Sequence, residues 1–334
     1  MSELSLPRRG RGRLTAAAES EYQAKLRAFC AAIIQIRSTL DFEISARGWC
    51  YILEDHGLKK GDFDAAEILI ADCRKTGMLP LGIVAEDGGR KFDNLEWIDE
   101  HGPEVEAQNI VATVKKAHTR YFPVSFWDYQ PCYIEMLVEK VDLRSLFSPI
   151  CAEYAVPIAN ARGWADINTR AAMMKRFAKH EEEGRNCILL YCGDHDPAGL
   201  AISGFLRSNL EELEGAVGWS PRRLTIDRFG LNADFIAAHN LTWIDNLETG
   251  SGKNLADPRH KNFHHDYVQN YIKRFGVRKV EANALVVRPQ AGRELCRTAI
   301  EKYLRLDGIH EYWSTLEAEQ AKVADHVRYL IGAE

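Results

Sequence analysis

The sequence predicts an α/β protein: a helical N-terminal half with the element order of a winged helix-turn-helix, then a Rossmann-like parallel sheet. Three observations carry this. From Cys132 onward, short apolar runs alternate with amphipathic segments, the pattern of parallel βαβ units. One of those runs, Cys187 to Cys192, lacks any alternation and so reads as a central strand covered on both faces. Upstream, helix, short turn, helix and a brief apolar run follow one another as they do in a winged helix-turn-helix.

In chain order, residues 1–18 form a basic, glycine-rich arm. Arg8, Arg9, Arg11 and Arg13 suit contacts to phosphates, or equally a solvated tail. A helix over 19–38 follows, with Tyr22, Leu26, Phe29, Ile33 and Ile36 on one face. Ser45 is a good N-cap for a helix over 46–56, which Gly57 stops. Asp62 or Asp64 starts its partner, which carries Ala66, Ile68, Leu69 and Cys73 and ends at Gly77. Residues 79–84 read as a short strand and 104–118 as another helix. The aromatic segment 121–127 marks a boundary. Residues 19–125 are therefore a winged-helix DNA-binding domain, and 130–334 a sheet domain with a C-terminal helix over 309–331 that packs on the sheet or on a partner chain.

Within the 46–56 helix, Arg47 and Tyr51 are four apart and share a face. A guanidinium one turn from a phenol can steady a phenolate or hold a phosphate. The alternative is a core tyrosine beside a surface arginine.

In the sheet half the strands are 132–138, 156–159, 187–192, 224–229 and 279–285, and helices cover 143–154, 168–182 and a stretch reaching Leu213. The third strand ends at Gly193-Asp194-His195-Asp196-Pro197-Ala198-Gly199. Open α/β sheets bind ligands at the carboxyl ends of their strands. Asp194 and Asp196 can converge there on a hard cation such as magnesium, or can simply cap the next helix. Right-handed crossovers bring Glu139, at the end of the first strand, to the same edge. Three carboxylates so placed repel one another unless a cation neutralises them. Glu135 lies mid-strand, where an unpaired carboxylate is costly, so Glu139 is the better ligand.

Composition restricts the partners. With 43 basic and 48 acidic residues the net charge is -5, so any nucleic-acid surface is a local patch. No apolar run is long enough for a membrane span and no signal peptide is visible. Eight cysteines without a C-x-x-C pair point to free buried thiols in a reducing, cytoplasmic setting.

Glu139-Lys140, Gly163 and Asp194-x-Asp196-Pro197-x-Gly199, each following a strand, resemble a Toprim domain. More narrowly they are similar to the A subunit of topoisomerase VI and the related meiotic double-strand-break transesterase. Arg162-Gly163-Trp164-Ala165-Asp166, Thr169-Arg170, Phe229-Gly230-Leu231, Asp234-Phe235-Ile236, Lys253, Asp257-Pro258-Arg259 and Glu281-Ala282-Asn283-Ala284-Leu285 follow in family order, and Arg47-x-x-x-Tyr51 resembles its winged-helix motif. Cys50 stands where the family often has a second tyrosine, and nothing here resembles the ATP-binding B subunit.

The resemblance implies magnesium-dependent cleavage of double-stranded DNA. Tyr51 would form a phosphotyrosyl link, Arg47 would contact the scissile phosphate, and Glu139, Asp194 and Asp196 would hold the metal. Lys140, Arg162, Gly163 and Arg170 would contact DNA. A symmetric homodimer supplying tyrosine and metal from different protomers is implied, together with a separate ATPase partner. Two other readings stay open: hydrolytic nicking by water at the same carboxylates, and DNA binding without catalysis. His260, His264, His265 and Asp266 form a further candidate cluster, for a transition metal or for phosphate contacts.

Overall fold

The computed structural model describes residues 5–10, 15–85, 96–161, 166–249 and 252–332. Helix α1 (Ala16–Arg37) is capped by Thr15, whose hydroxyl accepts from the N–H of Ala18. Helix α2 (Ala46–Glu54) is capped by Ser45 in the same way, through Gly48. Then come α3 (Phe63–Lys75) and α4 (Pro103–Lys116). The sheet half runs β1 (Cys132–Val138), α5 (Val141–Glu153), β2 (Ile158–Asn160), α6 (Ile167–Glu182) and β3 (Asn186–Cys192). It continues with α7 (Pro197–Leu200), α8 (Ile202–Glu211), α9 (Glu214–Val217), β4 (Thr225–Gly230) and α10 (Ala233–Ala238). The chain then forms α11 (Asp266–Phe275), α12 (Pro289–Glu301) and α13 (Leu306–Leu330).

The four strands form one parallel sheet in the order β2-β1-β3-β4. Every residue of β1 is buried, as are the last six of β3, because helices cover both faces of the sheet centre. Glu135 tolerates its mid-strand place because Arg176 grips both carboxylate oxygens at 2.7 Å and the Tyr133 hydroxyl donates at 2.9 Å. The eight cysteines are free and buried. No helix among the described residues is long and apolar enough to cross a membrane.

Two expected strands are not strands. Over 79–84 the chain forms a short 3-10 helix, Leu81–Ile83. The buried residues there, Leu79 and Ile83, are four apart and so favour a helical turn. Trp49 Nε1 donates to the Ile83 carbonyl at 2.7 Å, and the Ala85 N–H to Ile44, which ties the segment to α2 rather than into a ladder. Over 279–285, Lys279 and Val280 each make one isolated antiparallel bridge, with Ile244 and His195, and Ala282–Val287 then turns into a 3-10 helix. A short, fully buried apolar run does not distinguish strand from helix by its period. Also, one helix was expected from Pro197 to Leu213, but the chain breaks into α7, α8 and α9.

Residues 5–10 do not float as an arm. Pro7 is buried, Arg8 pairs with Asp62, and Arg9 pairs with Glu19 at 3.0 Å. Arg11 and Arg13 lie outside the described residues, as do Arg162 and Gly163. Both halves share one continuous apolar core reaching from Leu26 to Leu316. Of the expected packing face of α13, Leu316 is buried and Val323 half-buried, whereas Trp313 and Leu330 face solvent.

Candidate functional site

The carboxyl edge of the sheet gathers the predicted acidic residues. Glu139 leaves the end of β1 and Asp194 the end of β3, and register pairs Val138 with Cys192 just before them. The Asp194 N–H donates to Glu139 Oε2 at 2.8 Å, and the Tyr191 hydroxyl donates to the same oxygen at 3.3 Å. Lys140 lies between the two acids, with Nζ 2.9 Å from Glu139 Oε1 and 3.0 Å from Asp194 Oδ2. The remaining oxygen of Asp194 accepts from the N–H of Ala282 at 2.7 Å. Lys140 is thus turned inward as the counter-charge of the acids, not outward to a DNA backbone as expected.

Two glycines make this packing possible. A Cβ on Gly193 would stand 2.6 Å from Glu139 Oε2. One on Gly199 would land on the backbone oxygen of Asp194, which no side-chain rotation can relieve. Gly199→Ala is therefore expected to cost about 2–3 kcal/mol in a urea titration and to displace the Asp194 turn. A wild-type melting curve for that variant would contradict the packing described.

Electrostatics separate the three acids. Burial pushes the Asp194 carboxyl up to about 7, against the pull of Lys140 and with the added push of Glu139 and Asp196. Asp196 is also raised, by burial first and Glu139 among the causes, although the Gly199 N–H opposes it. Glu139 goes the other way: burial acts upward but Lys140 and the Asp194 N–H outweigh it. Glu139 and Asp194 share one ammonium, and the more exposed Glu139 keeps the charge.

Asp196 behaves in part as the simpler expectation had it. Its Oδ1 accepts from the Gly199 N–H at 2.6 Å and caps α7. As the side chains stand, no group of three His, Cys, Asp or Glu among the described residues is arranged to hold a metal ion. The donor chemistry nevertheless suits a hard cation: all oxygen, largely buried and mutually repelling, with Lys140 between Glu139 and Asp194 as the nearest counter-charge.

Tyr51 and Arg47 also come together, around a residue the sequence did not single out for them. The Tyr51 hydroxyl donates to Glu281 Oε2 at 3.0 Å, and Arg47 Nε donates to the same oxygen at 3.0 Å. Arg47 also reaches Glu67 at 3.1 Å and Asp64 at 3.3 Å. The Tyr51 ring is 1% exposed and meets Phe63 edge-on at 5.1 Å. Burial, then the charge of Glu281, pushes its phenol far above the usual tyrosine range, and Asp194 adds to this. Tyr51 thus lies beside the carboxylate centre of its own chain: Glu281 takes its proton bond, and the next residue, Ala282, holds Asp194. Arg47, with three acidic partners, is committed to the protein.

A second unforeseen set fastens α2 to the sheet. Asp142 is fully buried and accepts from Ser45 and from Asn283. Its sequence signal was weak: an acid at the start of α5 reads as an ordinary first-turn charge. Glu281 lies 230 positions from Tyr51; beside Arg278 and Lys279 it reads in sequence as a structural ion pair or a sheet-end contact, and Lys279 does lie 3.9 Å from it, but nothing local points to Tyr51 or Arg47.

Other expectations resolve plainly. Arg170 is buried and donates to the Asn209 carbonyl at 2.8 Å and to Glu212 at 3.2 Å, bracing helices instead of facing DNA. The 257–265 segment is a series of turns, and His264, His265 and Asp266 are exposed. His260 instead lines an open cavity of ≈ 630 Å³ with Lys253, Asn254, Asp257, Arg259 and Lys261. None of the three carboxylates lines that cavity; they occupy a sheet edge.

Comparison with known proteins leaves the chain to be read from its own geometry. No family model, no curated protein and no solved structure matches it.

Proposed function

We propose that this protein cleaves phosphodiester bonds in double-stranded DNA, with magnesium held by Glu139, Asp194 and Asp196 and with water as nucleophile. The fold is read accordingly as a Toprim-like sheet domain carrying a helix-turn-helix. The observation that carries the reading is the pairing of Glu139 and Asp194 about one ammonium at the carboxyl edge of a parallel sheet. A bound magnesium ion supplies charge neutralisation at phosphate oxygens and an activated water. The chain's own residues do the rest. Lys140, released from Asp194 when a divalent ion takes over its role, is placed to hold a phosphate oxygen. Lys253 and Lys261, beside an Arg259 that is paired with Asp257, give a chain of net charge -5 a local positive surface of the kind a DNA backbone needs.

Water is preferred to Tyr51 because the phenol is buried, hydrogen-bonded and raised in pKa, each of which opposes attack. The proximity of Tyr51 to Asp194 keeps transesterification as the second reading. Supercoiled plasmid incubated with magnesium separates them. We expect nicked or linear product from wild type and, within about threefold, from Tyr51→Phe, with no protein-DNA adduct. A trapped adduct lost in Tyr51→Phe would replace water by tyrosine. Absence of any cleavage by wild type would sink both and leave a DNA-binding scaffold, whose affinity would fall steeply with salt.

A further inference from the structure

Helix α4 has no buried residue along its 14 positions. A helix of that length is marginal in water unless one face is covered. It nevertheless has an amphipathic stripe: Ala107, Ile110, Val111 and Val114 stand at i, i+3, i+4 and i+7. Ile110 is 54% exposed and Val111 46%. α13 lies alongside, with Gln320 donating to the Thr119 and Tyr121 carbonyls at 3.4 and 3.0 Å, yet leaves that stripe open to solvent.

We infer that α4 is the interface of a homodimer and packs antiparallel on α4 of a second copy. The inference is independent of the cleavage chemistry. A two-fold axis between Ile110 and Val111 sets each against the other and places Ala107 opposite Val114. Glu104 and Lys115 flank the stripe on the same side of the helix. In an antiparallel pair that side meets its own copy, so Glu104 of each chain lies near Lys115 of the other, twice by symmetry. The acidic first turn and basic last turn of α4 are thereby both satisfied, and the helix dipoles oppose. A helix about 21 Å long is small for a specific interface, which needs about 1,000 Å² in all. Trp97 and Ile98, in the segment leading into α4, and Tyr329 and Leu330, at the end of α13, supply further exposed apolar area.

Sedimentation equilibrium on the full chain tests this. Wild type is expected to be a dimer and Ile110→Asp a monomer of unchanged helical circular dichroism. Glu104→Lys and Lys115→Glu each put like charges in register and should each weaken the dimer about tenfold. An equimolar mixture of those two variants should recover wild-type affinity as a heterodimer, which helix weakening alone would not produce. A monomeric wild type, a dimer unmoved by Ile110→Asp, or a mixture no tighter than its components would overturn the proposal.

Discussion

Asp194→Asn is expected to remove magnesium-dependent DNA cleavage by about a thousandfold, the rate equivalent of about 4 kcal/mol. Asp194 ties the site together: its carboxylate accepts from Lys140 and the Ala282 N–H, and its own N–H donates to Glu139. An amide cannot satisfy both neighbours, since both are donors, so absolute stability is a poor readout for this variant. Its pH dependence is a good one. The unfolded chain releases the Asp194 proton near the ordinary aspartate value, about 3.9, and the folded chain releases it near 7. Between those values the folded state binds the extra proton, so this residue makes stability fall as pH rises through that window, then level off above it. Asparagine does not titrate. Stability differences between variant and wild type should therefore change across pH 4 to 7 and be constant above, as chemical denaturation at a series of pH values would show. A pH-independent difference would mean that Asp194 is not held in this raised state.

Glu281→Ala is expected to destabilise the fold by roughly 2–4 kcal/mol. Removing one member of a buried ion pair leaves its partner uncompensated, which costs about 3–5 kcal/mol in the fully buried case. The figure is lower here because Arg47 retains Glu67 and is 29% exposed. The loss falls on two groups at once, the Arg47 guanidinium and the Tyr51 hydroxyl, both bonded to Glu281 Oε2. Glu281→Gln keeps an acceptor for the phenol and should cost about half as much. Glu67→Ala, at an outer partner of Arg47, should cost under about 1 kcal/mol. Urea unfolding of the three variants checks the order. Equal effects of Glu67→Ala and Glu281→Ala would show that Glu281 does not anchor the cluster. Since Ala282 holds Asp194, loss of cleavage should accompany the stability change in Glu281→Ala.

What the sequence revealed depends on the range of the interaction. β1 begins and ends where its apolar run does, at Cys132 and Val138, and β3 extends one residue further than its run, to Asn186. Both are buried on two faces, and a continuous apolar segment records that directly. The Ser45 cap was similarly local, bonding a backbone N–H three residues on. The convergence of Glu139 with Asp194 followed from parallel crossovers alone. The partners of those acids did not. Lys140 was visible as a neighbour of Glu139, but its inward turn depends on the burial of Asp194. Glu281 meets Tyr51, and Asn283 meets Asp142, across more than a hundred positions, and no periodicity reports such pairs. The two expected strands at 79–84 and 279–285 failed for a related reason. Hydrophobicity showed that these segments are buried, but not which backbone form their neighbours impose.

The most direct test is manganese binding, followed by electron paramagnetic resonance on the purified protein without DNA. A saturable site in wild type that is lost in Asp194→Asn and weakened in Glu139→Gln is the predicted result. No binding, or binding that both substitutions leave unchanged, would contradict a divalent-ion centre at this edge of the sheet.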